Sequence, residues 1–170
     1  MTHRDIIVIG GGPAGAATAI TAARHGIEVS VFEKGKYGRD KVCGDGLTPR
    51  AVGALQELRI DLGTAHRIQG LRMIAGKQVR ELDWPKTSRF PHYGAVWPRR
   101  QLDTALMDAA SEAGAETIYD TEVLPLIDDQ GRCVGIETPH GRWTADLVVL
   151  AAGAQGAAAR RLGAERDPHQ

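Results

Sequence analysis

The chain opens on an apolar run, Asp5-Ile-Ile-Val-Ile9, with no polar alternation. Such a run predicts a strand covered on both faces, as in a parallel sheet. Gly10-Gly11-Gly12-Pro13-Ala14-Gly15 then breaks it. Ala14 to His25 is rich in alanine, a strong helix former, and Gly26 stands where a helix commonly stops. A second apolar run, Val29 to Phe32, ends at Glu33. The pattern predicts a strand–helix–strand crossover of about 30 residues.

Lys34 to Gly46 reads as a loop rich in glycine and charge. Thr48 and Pro49 suit the cap and first position of a helix running to about Leu58. From Gln69 to Asp83 the pattern changes to two short strands around Ala75-Gly76-Lys77, an antiparallel hairpin. Trp84-Pro85 and Phe90-Pro91 punctuate an irregular stretch. Gln101 to Ala113 predicts an amphipathic helix with Leu102, Ala105, Leu106 and Ala109 on one face and Gly114 as its stop. Three further strands are expected: Glu122 to Ile127, Cys133 to Thr138, and Arg142 to Ala151. They are joined by turns at Asp128-Asp129-Gln130-Gly131 and Pro139-His140-Gly141. Ala152-Gly153-Ala154 and a polar, basic tail follow.

Composition narrows the function. With 21 basic and 21 acidic residues the formal net charge is zero, so the chain offers no concentrated basic character for nucleic acid. Cys43 and Cys133 are far apart and form no CxxC or Cys/His cluster; no metal site is expected, and a reducing cytoplasm fits best. No basic segment followed by an apolar stretch and a cleavage site opens the chain. The longest apolar run, Leu147 to Ala154, falls well short of the roughly 20 residues a spanning helix needs.

The chemistry concentrates in Gly10-x-Gly12-x-x-Gly15, placed after a strand and at the opening of a helix. Gly10 permits the tight turn, Gly12 lets a diphosphate approach the backbone, and Gly15 lets the helix pack on the strand. Amides and the dipole at the helix start favour negative charge. Glu33, 18 residues beyond Gly15 at the end of the second strand, suits both ribose hydroxyls of an adenosine and would repel a 2′-phosphate. This pattern predicts a dinucleotide site and leaves FAD and NAD open.

Longer motifs carry a resemblance. Lys41-Val-Cys-Gly-Asp-Gly-Leu-Thr-Pro-Arg50, Trp97-Pro-Arg-Arg-Gln-Leu-Asp103 and Asp146-Leu-Val-Val-Leu-Ala-Ala-Gly153, taken with the N-terminal glycine motif, resemble the geranylgeranyl reductase family of flavoproteins. With Trp84-Pro85 and Tyr93-Gly94, they look most like its actinobacterial menaquinone reductases, which saturate a double bond of the quinone tail. The resemblance implies an α/β, Rossmann-like FAD-binding domain of the p-hydroxybenzoate hydroxylase type over residues 1–170. Residues 64–95 would begin an antiparallel β insertion on the substrate side. It implies an oxidoreductase with FAD as cofactor and a prenylated lipid or quinone as substrate.

Carried over by position, Gly10, Gly12, Pro13, Ala14, Gly15, Glu33 and Lys34 would serve the ADP half of FAD. Cys43, Gly44 and Gly46 would contact the ribityl chain and flavin, and Arg99 would bring a cation to the cofactor, with Arg100 as its competitor. Val123 would meet the adenine through its backbone, and Gly153 completes the set. No catalytic residue is assigned. For Cys43 the resemblance implies proximity to the flavin, as a structural contact, in positioning substrate, or in the catalysis itself. His92 reads as loop packing, and Trp84 and Trp97 read equally as core or as pocket lining.

Family members are longer, and their later part carries a further Gly-Asp flavin motif that does not recur after Ala151. The chain is therefore expected to be the first part of such an enzyme, with any peripheral membrane contact lying in the missing part. Two other readings stand beside the reductase: an aromatic monooxygenase on the same fold, and a non-catalytic flavin-binding remnant.

Overall fold

The computed structural model describes residues 2–153 and 157–163. In chain order the elements are β1 (Thr2–Ile9), α1 (Pro13–Arg24), β2 (Val29–Phe32), β3 (Gly46–Leu47), α2 (Pro49–Glu57), β4 (His66–Ile68), β5 (Gly70–Ala75) and β6 (Gln78–Asp83). There follow β7 (Gly94–Val96), α3 (Arg99–Glu112), β8 (Glu116–Ile118), β9 (Leu124–Ile127), β10 (Cys133–Thr138), β11 (Gly141–Leu150) and α4 (Ala157–Arg161). The chain forms two compact units: one takes the segments up to Arg39 and from Asp103 onward, the other is Asp40–Leu102.

The first unit is built on a six-stranded sheet in the order β8-β2-β1-β11-β10-β9. β1 pairs in parallel with β2 (Ile6↔Val29 to Ile9↔Phe32) and with β11 (Ile6↔Leu147 to Ile9↔Leu150). The unalternating run at residues 5–9 is explained by this central place. Ile7 and Val8 are fully buried, as is all of β2. α1 turns Ala16, Ala19 and Ile20 inward at helical spacing, together with Gly15 and Ala22. Ile7, Ile9, Phe32, Val123 and Ile136 form a core cluster, and the Trp143 ring meets Phe32 edge-on at 5.1 Å between centroids.

In the second unit, α2 begins as its sequence dictates, with Thr48 Oγ1 accepting from the Ala51 N–H at 3.3 Å and Pro49 in the first turn. A small antiparallel sheet, β3-β7-β4, lies in the same unit. β5 and β6 pair from Gly70↔Asp83 to Ala75↔Gln78, so the hairpin lies where the alternation placed it.

Some expectations need correction. The strands β3, β4, β7 and β8 were not foreseen; at two or three residues each, they are too short to show a period of two. The buried face of α3 also differs. Leu102, Asp103, Leu106, Met107 and Ala110 are the buried positions of α3, whereas Ala105 and Ala109 are only half-buried. The inward stripe is thus rotated to include a carboxylate. β9 starts at Leu124 rather than Glu122, and the basic tail beyond Gly163 lies outside the described residues.

Candidate functional site: a glycine turn and a buried carboxylate

The turn after β1 is shaped by three glycines with different constraints. Gly10 has φ of +106°, and a Cβ there would come within 2.6 Å of the Ala151 carbonyl oxygen. A Cβ on Gly15 would lie 1.9 Å from the Gly10 carbonyl oxygen. The first turn of α1 is therefore pressed against the end of β1. Gly12, the N-cap, faces no such neighbour: a Cβ there would meet nothing within 4 Å. No side chain caps the helix, Pro13 occupies its first turn, and Pro13 and Ala14 are exposed. The opening of α1 thus presents uncapped amides and the positive end of the helix dipole, an arrangement that favours negative charge.

Glu33 closes the other side of this turn. It is only 6% exposed, and its carboxylate is fixed by four donors. Oε2 accepts from the Gly11 N–H at 2.9 Å and from Arg39 Nη2 at 3.1 Å. Oε1 accepts from the Gly35 N–H at 2.8 Å and from Arg39 Nε at 2.9 Å. Arg39 Nη1 lies 3.4 Å from Asp103 Oδ2, so one guanidinium bridges two buried acids. A small open cleft beside them is lined by Gly11, Glu33, Lys36, Arg39, Met107 and Tyr119.

Burial pushes the Glu33 carboxyl up, but the Arg39 guanidinium and the Gly35 and Gly11 amides outweigh it and hold its pKa below the ordinary 4.5. A carboxyl lowered in the folded state contributes stability that is complete above its unfolded value and lost as pH falls through the folded one. Thermal melts of the wild type should therefore lose stability on acidification below about pH 4.5. The Glu33→Gln variant, already deprived of this contribution, should show a shallower loss over the same range. Parallel pH profiles would contradict the assignment.

The structure brings Gly10, Gly12, Pro13, Ala14, Gly15 and Glu33 to one site in the first unit. Lys34 follows Glu33 and is exposed. Val123 has its side chain in the core cluster. Gly153, at φ of +76°, is exposed with open space before it. Arg39 and Asp103 were missed. Asp103 was visible only as the last residue of a motif, and nothing in the charged loop distinguished Arg39 from Lys34, Lys36 or Lys41.

Within the second unit, Cys43 and Arg99 gather around Asp45. Asp45 has φ of +56°; its Oδ1 accepts from the Arg99 N–H at 3.0 Å, and its carbonyl oxygen accepts from the Trp97 N–H at 2.9 Å. Cys43 and Gly44 are exposed, as is Gly46 at the start of β3. The Asp45 N–H, followed by the Arg99 side chain, draws the Cys43 thiol below the usual cysteine value. Iodoacetamide at neutral pH should therefore alkylate Cys43 faster than Cys133, and Arg99→Gln should slow that reaction. Equal rates in wild type and variant would remove Arg99 from the account. Arg99 is half-buried while Arg100 is exposed. Trp97, 5% exposed with its Nε1 donating to Gln101 Oε1 at 3.2 Å, belongs to the core of this unit.

Among the described residues no helix is long and apolar enough to cross a membrane, and no group of three or more His, Cys, Asp or Glu could hold a metal ion.

The open mouth at Gly12 and the carboxylate held against the same turn fit the diphosphate and ribose of an adenine dinucleotide. A Cβ at Gly12 would meet no protein atom within 4 Å, so the backbone there is open to a ligand. Comparison with known proteins agrees. The chain is 40% identical over 167 residues to a menaquinone reductase of Mycolicibacterium smegmatis, an alignment covering 95% of this chain and 40% of that protein. It is 28% identical over 151 residues to a digeranylgeranylglycerophospholipid reductase of Thermoplasma acidophilum, covering 86% of this chain and 37% of that protein. The crystal structure of a geranylgeranyl bacteriochlorophyll reductase-like protein from Thermoplasma acidophilum superposes with a TM-score of 0.74 at 27% identity. That match covers 91% of this chain and 43% of the other. The chain thus spans about 40% of the length of the curated relatives it matches. The FAD binding domain family matches residues 3–170, so the chain belongs to that family and its cofactor is FAD.

Proposed function

We propose that this chain is the cofactor-holding part of an FAD-dependent oxidoreductase that reduces prenyl-chain double bonds of a lipid or quinone, menaquinone being the leading candidate. The observation that carries the cofactor half of this reading is the Glu33 carboxylate fixed 2.9 Å from the Gly11 amide, beside an uncapped helix mouth. The substrate half rests on the relatives, which are named menaquinone and digeranylgeranylglycerophospholipid reductases. Those names favour reduction over the hydroxylation an aromatic monooxygenase would perform.

In this reading the residues have separate tasks. The α1 opening, at Gly12 to Gly15, binds the diphosphate through backbone amides, and Glu33 orients the adenosine by its ribose hydroxyls. Cys43, Gly44, Gly46 and Arg99 would serve the ribityl and flavin part of the cofactor, with the Arg99 guanidinium donating to phosphate or ribityl oxygens in a fixed fork. Val123 backs the adenine side, and Lys34 and Gly153 border the site. When bound, FAD supplies two-electron transfer to a carbon–carbon double bond. Contact with a membrane surface, where a prenylated quinone resides, belongs to the same proposal.

The test is product analysis with the longer protein that contains this chain, a prenylated quinone and a chemical reductant. Reduction predicts a product heavier by two hydrogens in the tail, formed without oxygen. A product gaining an oxygen atom, with oxygen consumed, would replace the reductase by a monooxygenase. A flavin-loaded protein inert towards every prenyl substrate would leave a binding remnant.

A further inference from the structure

A carboxylate has about four lone-pair positions for hydrogen bonding. In Glu33 all four are taken: two by the Gly11 and Gly35 amides and two by the Arg39 fork. The amides are part of the backbone turn and cannot leave without unmaking it. An adenosine ribose that donates its hydroxyls to Glu33 must therefore displace Arg39, the single mobile donor among the three residues. Arg39 has somewhere to go: its Nη1 already lies 3.4 Å from Asp103 Oδ2, and Asp103 is 5% exposed. The arginine is itself more accessible than either acid, with its side chain 23% exposed against 8% for Glu33 and 7% for Asp103.

We propose that Arg39 is a two-position residue of the ribose subsite, forked on Glu33 when the subsite is empty and handed to Asp103 when ribose hydroxyls take its place. The inference rests on the FAD reading of the site and deepens it. Before cofactor arrives, Arg39 compensates a buried charge that would otherwise be stranded. On binding, the ribose replaces one set of donors with another, and the guanidinium stays paired through Asp103. The Arg39 fork is therefore a competitor of the cofactor, and Asp103 determines how easily that competitor yields.

The competition makes a prediction that a purely structural arginine does not. Affinities for ADP and for FMN would be measured by calorimetry on the full chain and on Arg39→Gln, Asp103→Asn and the double variant. ADP carries the ribose that meets Glu33; FMN lacks it and serves as the control. Arg39→Gln should bind ADP several-fold more tightly than wild type, with FMN unchanged. Asp103→Asn should bind ADP several-fold more weakly, because the displaced guanidinium loses its acceptor. In the double variant that weakening should vanish, leaving the Arg39→Gln affinity.

If Arg39→Gln weakens ADP, or if Asp103→Asn weakens it equally with and without Arg39, the two-position role is overturned while the cofactor site stands. If wild type binds no ADP at all, the site reading fails and this inference with it. Arg39→Lys guards against misfolding: it keeps the charge without the fork and should lie between wild type and Arg39→Gln in ADP affinity. Weaker ADP binding by the lysine variant than by wild type would also count against the proposal.

Discussion

Replacing Gly12 by valine should weaken FAD binding roughly a hundredfold while leaving the fold intact. Gly12 has φ of −77° and an extended ψ, a conformation open to any residue. A Cβ there meets no neighbour within 4 Å. The folded chain should therefore lose less than about 1 kcal/mol, chiefly because valine is a poorer N-cap than glycine. The space it fills is the approach to the uncapped helix mouth. Excluding a diphosphate removes charge-assisted bonds to backbone amides and the helix-end interaction. Together these are worth about 3 kcal/mol, or roughly a hundredfold in affinity. Flavin fluorescence titration and a thermal melt on the same sample check both halves. A variant that melts like wild type and still binds FAD at wild-type affinity would show that the diphosphate lies elsewhere.

Gly15→Ala should show the reverse pattern, with a loss of stability as its primary effect. Intrinsic propensity argues for stabilisation, since alanine exceeds glycine in a helix by about 1 kcal/mol. Packing overrides that preference. The new Cβ would sit 1.9 Å from the Gly10 carbonyl oxygen and 3.1 Å from Val8 Cγ1, so the helix must move away from a strand at the sheet centre. Gly10 cannot absorb the shift, because its own position is set by a φ of +106° and by Ala151. The cost should be about 3 kcal/mol, at the upper end of core overpacking, or roughly 10 °C in Tm for a chain of this size. A variant as stable as wild type would mean that α1 and β1 are not pressed together as described.

These two glycines show how much of the site was legible. The spacing Gly10, Gly12, Gly15 and the carboxylate at Glu33 were readable because Gly10 and Gly15 answer backbone requirements that few residue types meet, and Gly12 and Glu33 stand at the spacing of a dinucleotide motif. The β1–α1–β2 unit was readable for a related reason: unalternating apolar runs and an alanine-rich helix leave little room for another arrangement. Arg39 was not readable. Its role depends on Asp103, 64 positions away in the chain, and on a loop conformation that no local preference encodes. The α3 stripe failed for the same cause. Counting apolar positions placed Ala105 and Ala109 inside, yet Asp103 is buried because a guanidinium meets it there. Short strands such as β7 and β8 owe their pairing to neighbours rather than to their own three residues.

The resemblance supplied what spacing could not. The glycine motif leaves FAD and NAD equally open, and the longer motifs around Cys43 and Arg99 chose between them. The structure adds that Cys43 and Arg99 converge on Asp45, whose backbone is left-handed at φ of +56°. A non-glycine residue held there is a local strain of the kind that gathers at functional sites.

In the proposed site the amides at the opening of α1, with Glu33 beside them, would hold the ADP half of FAD. An ADP titration followed by amide NMR tests it most directly. The account predicts the largest shifts at Gly11, Gly12, Ala14, Gly15 and Gly35, saturating together at one ADP per chain. Shifts that leave these amides unmoved, or that centre on another part of the sheet, would contradict it.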